Sequence, residues 1–146
     1  GPPPTLESGV VSFTYTGVPF AAEGRCYWAQ GYPAADSSCS LALDLGDTIR
    51  IRGVRDPGTN RWVHINLEFP EDGSCAAHDA CRIAFDYLTP VGKVRASFRS
   101  RDATVVVSEE SEHRMAGTFT GWVYQVGADA DTLAITDGVF DVPVER

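Results

Sequence analysis

The run Cys75-Ala76-Ala77-His78-Asp79-Ala80-Cys81 offers two thiols and an imidazole at even spacing. Zinc in a structural site takes four protein ligands in a tetrahedron; this run supplies three and matches no common finger. The chain has four cysteines in all, Cys26, Cys39, Cys75 and Cys81. An even count at two short separations reads instead as two disulfides. The favoured pairing is Cys26–Cys39 and Cys75–Cys81, each tying a short loop between neighbouring strands, with two other connectivities open. Oxygen donors gather a second time in Gly127–Thr132, where Asp129 and Asp131 stand two residues apart and Asp137 follows. Such ligands suit Ca²⁺, but the twelve-residue EF-hand loop is absent and aspartate in turns commonly bonds its own backbone. The expectation is of no metal and no cofactor.

Nucleophilic catalysis needs an activated Ser or Cys with a base in reach. The chain has no Gly-x-Ser-x-Gly elbow, and paired cysteines leave no thiolate. His64, His78 and His113 are scattered among polar neighbours and read as surface residues. Carboxylate pairs such as Glu109-Glu110 or Asp129/Asp131 would serve glycoside hydrolysis only if space brought two acids together. No catalytic residue is assigned, and the chain is expected not to be an enzyme. Aromatic rings offer another chemistry, stacking on sugars or apolar ligands, although most large aromatics fill cores. Trp28 and Tyr32 flank a polar loop, Gly31–Ser38, that contains Asp36; Trp62 sits on the outward register of its strand beside His64. Tyr27, Trp122 and Tyr124 complete the set. The candidate ligand-binding residues are Trp28, Tyr32, Asp36 and Trp62.

Short strands must position these groups. Val63, Ile65, Leu67 and Phe69 alternate with Trp62, His64, Asn66 and Glu68. Ile49 and Ile51 alternate with Arg50 and Arg52, and Ile83, Phe85 and Tyr87 with Arg82, Ala84 and Asp86. Val94, Ala96 and Phe98 alternate with Lys93, Arg95, Ser97 and Arg99. Period two with one apolar face marks antiparallel sheet, and no helical stripe is found. Turn formers punctuate the run: Gly46-Asp47, Asp56-Pro57-Gly58, Glu71-Asp72-Gly73, Pro90-Val91-Gly92 and Asp137-Gly138. Ser100–Ala103 is expected to turn the chain between Phe98 and Val105. Val105-Val106-Val107 reads as a strand covered on both faces. Nine to eleven strands at this spacing predict an all-β antiparallel β-sandwich or flattened barrel.

The 146 residues form one domain, 43% hydrophobic and 22% charged. Residues 1–8, opening Gly1-Pro2-Pro3-Pro4, are set apart as a flexible arm resembling the remnant of tag cleavage, and 9–146 as the sandwich. No stretch reaches the ~20 apolar residues of a membrane span. The net charge of −8 argues against nucleic acid. Yet nine of the twelve basic residues fall between Arg50 and Arg101, whereas acids crowd the last third. This reads as either a basic patch or the solvated face of alternating strands.

One stretch carries a resemblance. Arg114-Met115-Ala116-Gly117-Thr118-Phe119, followed by Thr132-Leu133-Ala134-Ile135-Thr136-Asp137-Gly138-Val139-Phe140-Asp141-Val142, resembles the closing strands of small bacterial surface lipoprotein domains of unknown function. The resemblance implies a sandwich-like domain tethered to a bacterial envelope, in the periplasm or at the surface. The lipid-bearing cysteine of such domains is missing, so a lipid anchor would lie outside this sequence. The expected function is a non-catalytic extracytoplasmic domain, secreted or envelope-associated, that binds a protein or glycan partner. A carbohydrate-binding module, an inhibitor or immunity-like protein, and a small hydrolase are the alternatives.

Overall fold

The computed structural model describes residues 9–24, 38–55, 62–75, 80–88, 94–127 and 131–145. Among them are nine strands and no helix, and hence no helix long and apolar enough to cross a membrane. The strands are β1 (Val10–Tyr15), β2 (Val18–Glu23), β3 (Ser38–Asp44), β4 (Thr48–Arg55), β5 (Trp62–Pro70), β6 (Arg82–Leu88), β7 (Val94–Glu110), β8 (Arg114–Gln125) and β9 (Thr132–Glu145). They form one sheet in the order β2-β1-β9-β3-β4-β5-β6-β7-β8, and β8 pairs back onto β9. Seven strands, β3 to β9, therefore close a ring, the flattened barrel the alternation predicts. Every pairing is antiparallel except a two-residue parallel contact, Ala42 with Val144 and Leu43 with Glu145.

The ring is filled by one face of each strand. Ile49, Ile51, Ile65, Leu67, Ile83 and Phe85 are each at most 1% exposed, so the inward register read from the sequence is the register adopted. Covering large apolar side chains in this way contributes roughly 1.5–3 kcal/mol apiece, which anchors β4, β5 and β6 as a stiff floor. The β1–β2 hairpin, joined by Thr16 (φ 47°) and Gly17 (φ 84°), adds Phe13 and Phe20 to that core. Two consecutive positive φ values give the hairpin turn whose twist matches its strands. Phe13 stacks on Phe20 at 4.7 Å and meets Phe85 edge-on at 6.0 Å, which locks the hairpin over the barrel interior.

Three expectations are corrected. Ser100–Ala103 does not turn: β7 runs seventeen residues, with a bulge between Ser100 and Asp102. Asp137-Gly138 likewise lies inside β9, where Asp137 adopts φ 53° in the bulge that gives β9 one residue more than β8 between Phe119 and Gly121. An extra residue in one strand is absorbed by bending, so turn-forming residues serve as bulges when both flanking segments pair with long partners. The Val105–Val107 strand is not covered on both sides, because Val106 is 55% exposed on the outer face.

The disulfide Cys75–Cys81 joins the end of the β5 segment to the start of β6 with Cα atoms 5.2 Å apart, and the Val105 N–H donates to Cys75 Sγ at 3.3 Å. Cys39 is also disulfide-bonded, while Cys26 lies outside the described residues. Closing so short a loop is expected to stabilise the fold by about 2 kcal/mol. Urea unfolding of the Cys75→Ala/Cys81→Ala variant should show that loss, and an unchanged midpoint would mean that the bridge holds nothing the strands do not.

Candidate functional site

With isoleucines, leucine and phenylalanine pointing inward, β4 to β7 must present their alternate residues outside. Cross-strand register then lines these up in rows. Arg50 faces Glu68, and Glu68 faces Arg82. Arg52 faces Asn66, then Ala84, then Arg99. Val54 faces His64, then Asp86, then Ser97. Arg50, Asn66, Glu68, Arg82, Asp86, Arg99 and Ser100 line a cleft of about 400 Å³, within the size range of ligand sites.

Ion pairs organise the cleft. Glu68 Oε1 accepts from Arg50 Nε at 2.9 Å and lies 2.7 Å from Arg50 Nη2, while Oε2 accepts from Arg82 Nη2 at 2.7 Å. Asp86, a charged residue buried on this face, accepts from Arg99 Nη1 at 2.9 Å; the same nitrogen donates to the Phe98 carbonyl at 2.8 Å. Asn66 Oδ1 is buried without a hydrogen-bond partner. His64 is held neutral at pH 7. Its pKa is lowered to about 4, by burial first and then by the Arg52 charge with Arg99 and Arg50 behind, and only Asp86 opposes. Four guanidinium groups against two carboxylates leave this face at about +2, inside a chain of net −8. On its β3 side the face meets an apolar ridge, since Leu41 pairs with Arg52, Leu43 with Arg50 and Cys39 with Val54, all buried.

Acid–base chemistry is poorly served by this arrangement. An effective general base or acid needs a pKa near the working pH, and His64 lies well below it. Glu68 and Asp86 are both occupied by guanidinium partners. What the cleft offers is a set of fixed, charged hydrogen-bond donors, the groups best matched to anions.

The residues picked from sequence fare unevenly. Trp28, Tyr32 and Asp36 lie outside the described residues. Trp62 opens β5 opposite Leu88, two residues before His64, and its side chain is likewise undescribed. Of the histidines, His113 is exposed as expected and His78 is undescribed, but His64 is not a surface residue. Asp129 is undescribed, and Asp131 is exposed with its carbonyl accepting from the Gln125 N–H. No group of three or more metal-ligating side chains occurs among the described residues. The arginines of β4, β6 and β7 were missed as a site. Their signal was the crowding of basic residues between Arg50 and Arg101, which in a period-two sheet places every second residue on one surface. No protein-family model, curated protein or solved structure matches the chain.

Proposed function

We propose that the chain is a non-catalytic extracytoplasmic binding domain, secreted or tethered to a bacterial envelope, whose outer β4–β7 face takes an anionic ligand. One observation carries the reading. Arg50, Arg82 and Arg99 converge around Glu68 and Asp86 in one cleft, with Arg52 and a neutral His64 on the same strand face, while the chain as a whole is acidic. A cationic cleft on an acidic surface is a local feature that steers negative ligands to one place. The disulfide supports an oxidising compartment, since such bonds persist outside the cytoplasm. Envelope association draws on the resemblance, whose two segments pair as neighbouring strands: Gly117 faces Phe140 and Phe119 faces Gly138.

The test is a titration with hexaglutamate, hexagalacturonate and sulfated dextran at low and high salt. At least one should bind, more weakly as salt rises. Arg82→Glu is expected to weaken that probe about tenfold, or ~1.4 kcal/mol. Arg82 is exposed and at the strand start, so the fold should survive the change. Binding by none of the three would sink the reading.

A further inference from the structure

We infer that the ligand of the β4–β7 face is an acidic oligosaccharide, its anionic group held by the arginines and one sugar ring stacked on Trp122. The inference rests on the anionic-ligand reading above and narrows it to one class.

Trp122 is 53% exposed, a large apolar side chain on the outer face of the barrel. It stands level with Arg82 on the far side of β7. Ala84 faces Arg99, so Arg82, two residues earlier, falls level with the bulge at Arg101 and Asp102, and Asp102 faces Trp122. Two strand spacings separate Arg82 from Trp122, or ~10 Å between backbones. A single sugar does not reach both, and a short oligosaccharide does. Between them the Arg101 guanidinium lies 4.1 Å from the Tyr124 ring centroid, an interaction that adds positive charge beside the aromatic surface. Beyond Trp122 the surface continues in exposed Thr120 and Thr118, with Thr104 opposite Thr120.

The cleft itself chooses among anions. Arg50, Arg82 and Arg99 each spend only part of their five N–H donors on Glu68, Asp86 and the Phe98 carbonyl. Their side chains are 36%, 60% and 51% exposed, within reach of solvent and ligand. Interleaved with them are the acceptors Glu68 and Asp86. A dense polyanion presents acceptors only and is repelled by those carboxylates. An acidic sugar presents an oxyanion for the guanidinium forks together with hydroxyl donors for the carboxylates. Its apolar ring face suits the indole, which an acidic peptide side chain does not match. The anion is a carboxylate or a sulfate on the sugar, and the experiment separates the two.

The experiment is calorimetry at low salt with hexagalacturonate, a κ-carrageenan hexasaccharide, which carries sulfates and no carboxylate, methyl-esterified hexagalacturonate and hexaglutamate. One of the two acidic sugars should bind, and the esterified sugar and hexaglutamate should each be about tenfold weaker or worse. Trp122→Ala should cost the acidic sugar about tenfold, and Trp122→Tyr should restore most of it. Melting curves of both variants confirm folding. Unchanged affinity in Trp122→Ala overturns the inference, as does hexaglutamate binding as tightly as either sugar. Sedimentation showing a dimer that Trp122→Ala disperses would assign the ring to a second copy and overturn it too. If hexaglutamate alone binds, the sugar assignment falls and the anionic reading stands; if no anionic probe binds, both fall.

Discussion

Gly117→Ala is expected to destabilise the fold by about 3 kcal/mol or more, enough to shift urea unfolding far outside the error of the measurement. The cause is space rather than backbone freedom. A Cβ at position 117 would run into the Val106 carbonyl and lie 2.6 Å from Phe140 Cζ. Neither obstacle yields easily. The carbonyl belongs to the β7–β8 ladder, and Phe140 is fully buried against Phe69 and Phe119, at 6.1 and 6.4 Å between ring centroids. The arrangement is reciprocal across β8 and β9. Phe140 covers Gly117, and Phe119 covers Gly138, where a Cβ would lie 2.6 Å from Phe119 Cδ2. Each ring fills the space its partner glycine vacates, so two residues that weaken a strand elsewhere become the means by which two strands approach. Gly138→Ala should therefore behave like Gly117→Ala. Val139→Ala, at an exposed neighbour on β9, should move the midpoint little. Phe140→Leu combined with Gly117→Ala should recover part of the loss but not all, because the carbonyl contact remains. A Gly117→Ala protein unfolding at the parent midpoint would show that β7 and β8 have room to part.

How much of this was legible beforehand follows from which interactions have a sequence period. Inward Ile49, Ile51, Ile65 and Leu67 announce themselves, because a half-buried strand repeats every two residues whatever its partner. The disulfide across Cys75 and Cys81 was legible from count and spacing. Bulges were not. Ser100–Ala103 and Asp137-Gly138 carry the same residues a turn would, and only the partner strand decides between turning and bulging. The cleft failed for a related reason. Arg50, Glu68, Arg82 and Arg99 come from four strands, and their meeting depends on register, which no local pattern sets. The basic crowding from Arg50 to Arg101 was visible, but its convergence around two carboxylates and one imidazole was not. His64 shows the gap most plainly: its outward register, shared with Asn66 and Glu68, suggested a wet surface, whereas its neighbours across the sheet are Val54 and Asp86, both buried.

His64 also makes the fold sensitive to mild acid, and the sign can be worked out. Its pKa is about 4 in the folded protein against an ordinary 6.5, so between those values the unfolded chain binds a proton that the native state refuses. Stability therefore rises with pH across that window; the contribution is complete above about pH 6.5 and is lost progressively on descent toward pH 4. The size is about 2–3 kcal/mol, allowing for the partial exposure of the ring. Charged groups face His64 from three strands, Arg50 and Arg52 on β4, Asp86 on β6 and Arg99 on β7. Three of those four resist a second positive charge, and Asp86, the one that would welcome it, is already paired with Arg99. Other titrating groups also respond to acid, so the measurement is a difference. Urea stability from pH 7.5 to 4 should fall more steeply in the parent protein than in His64→Gln, with the two curves separating below about pH 6.5. Imidazole proton shifts followed by NMR should place the titration of His64 near pH 4, far below the ordinary 6.5. Parallel stability curves, or a His64 midpoint near 6.5, would mean that the ring is not enclosed by the arginine face. A bound anion should act in the opposite direction to the arginines: by offsetting their charge it should raise the His64 midpoint, so the same titration repeated with a binding probe ties the pH response to the ligand face.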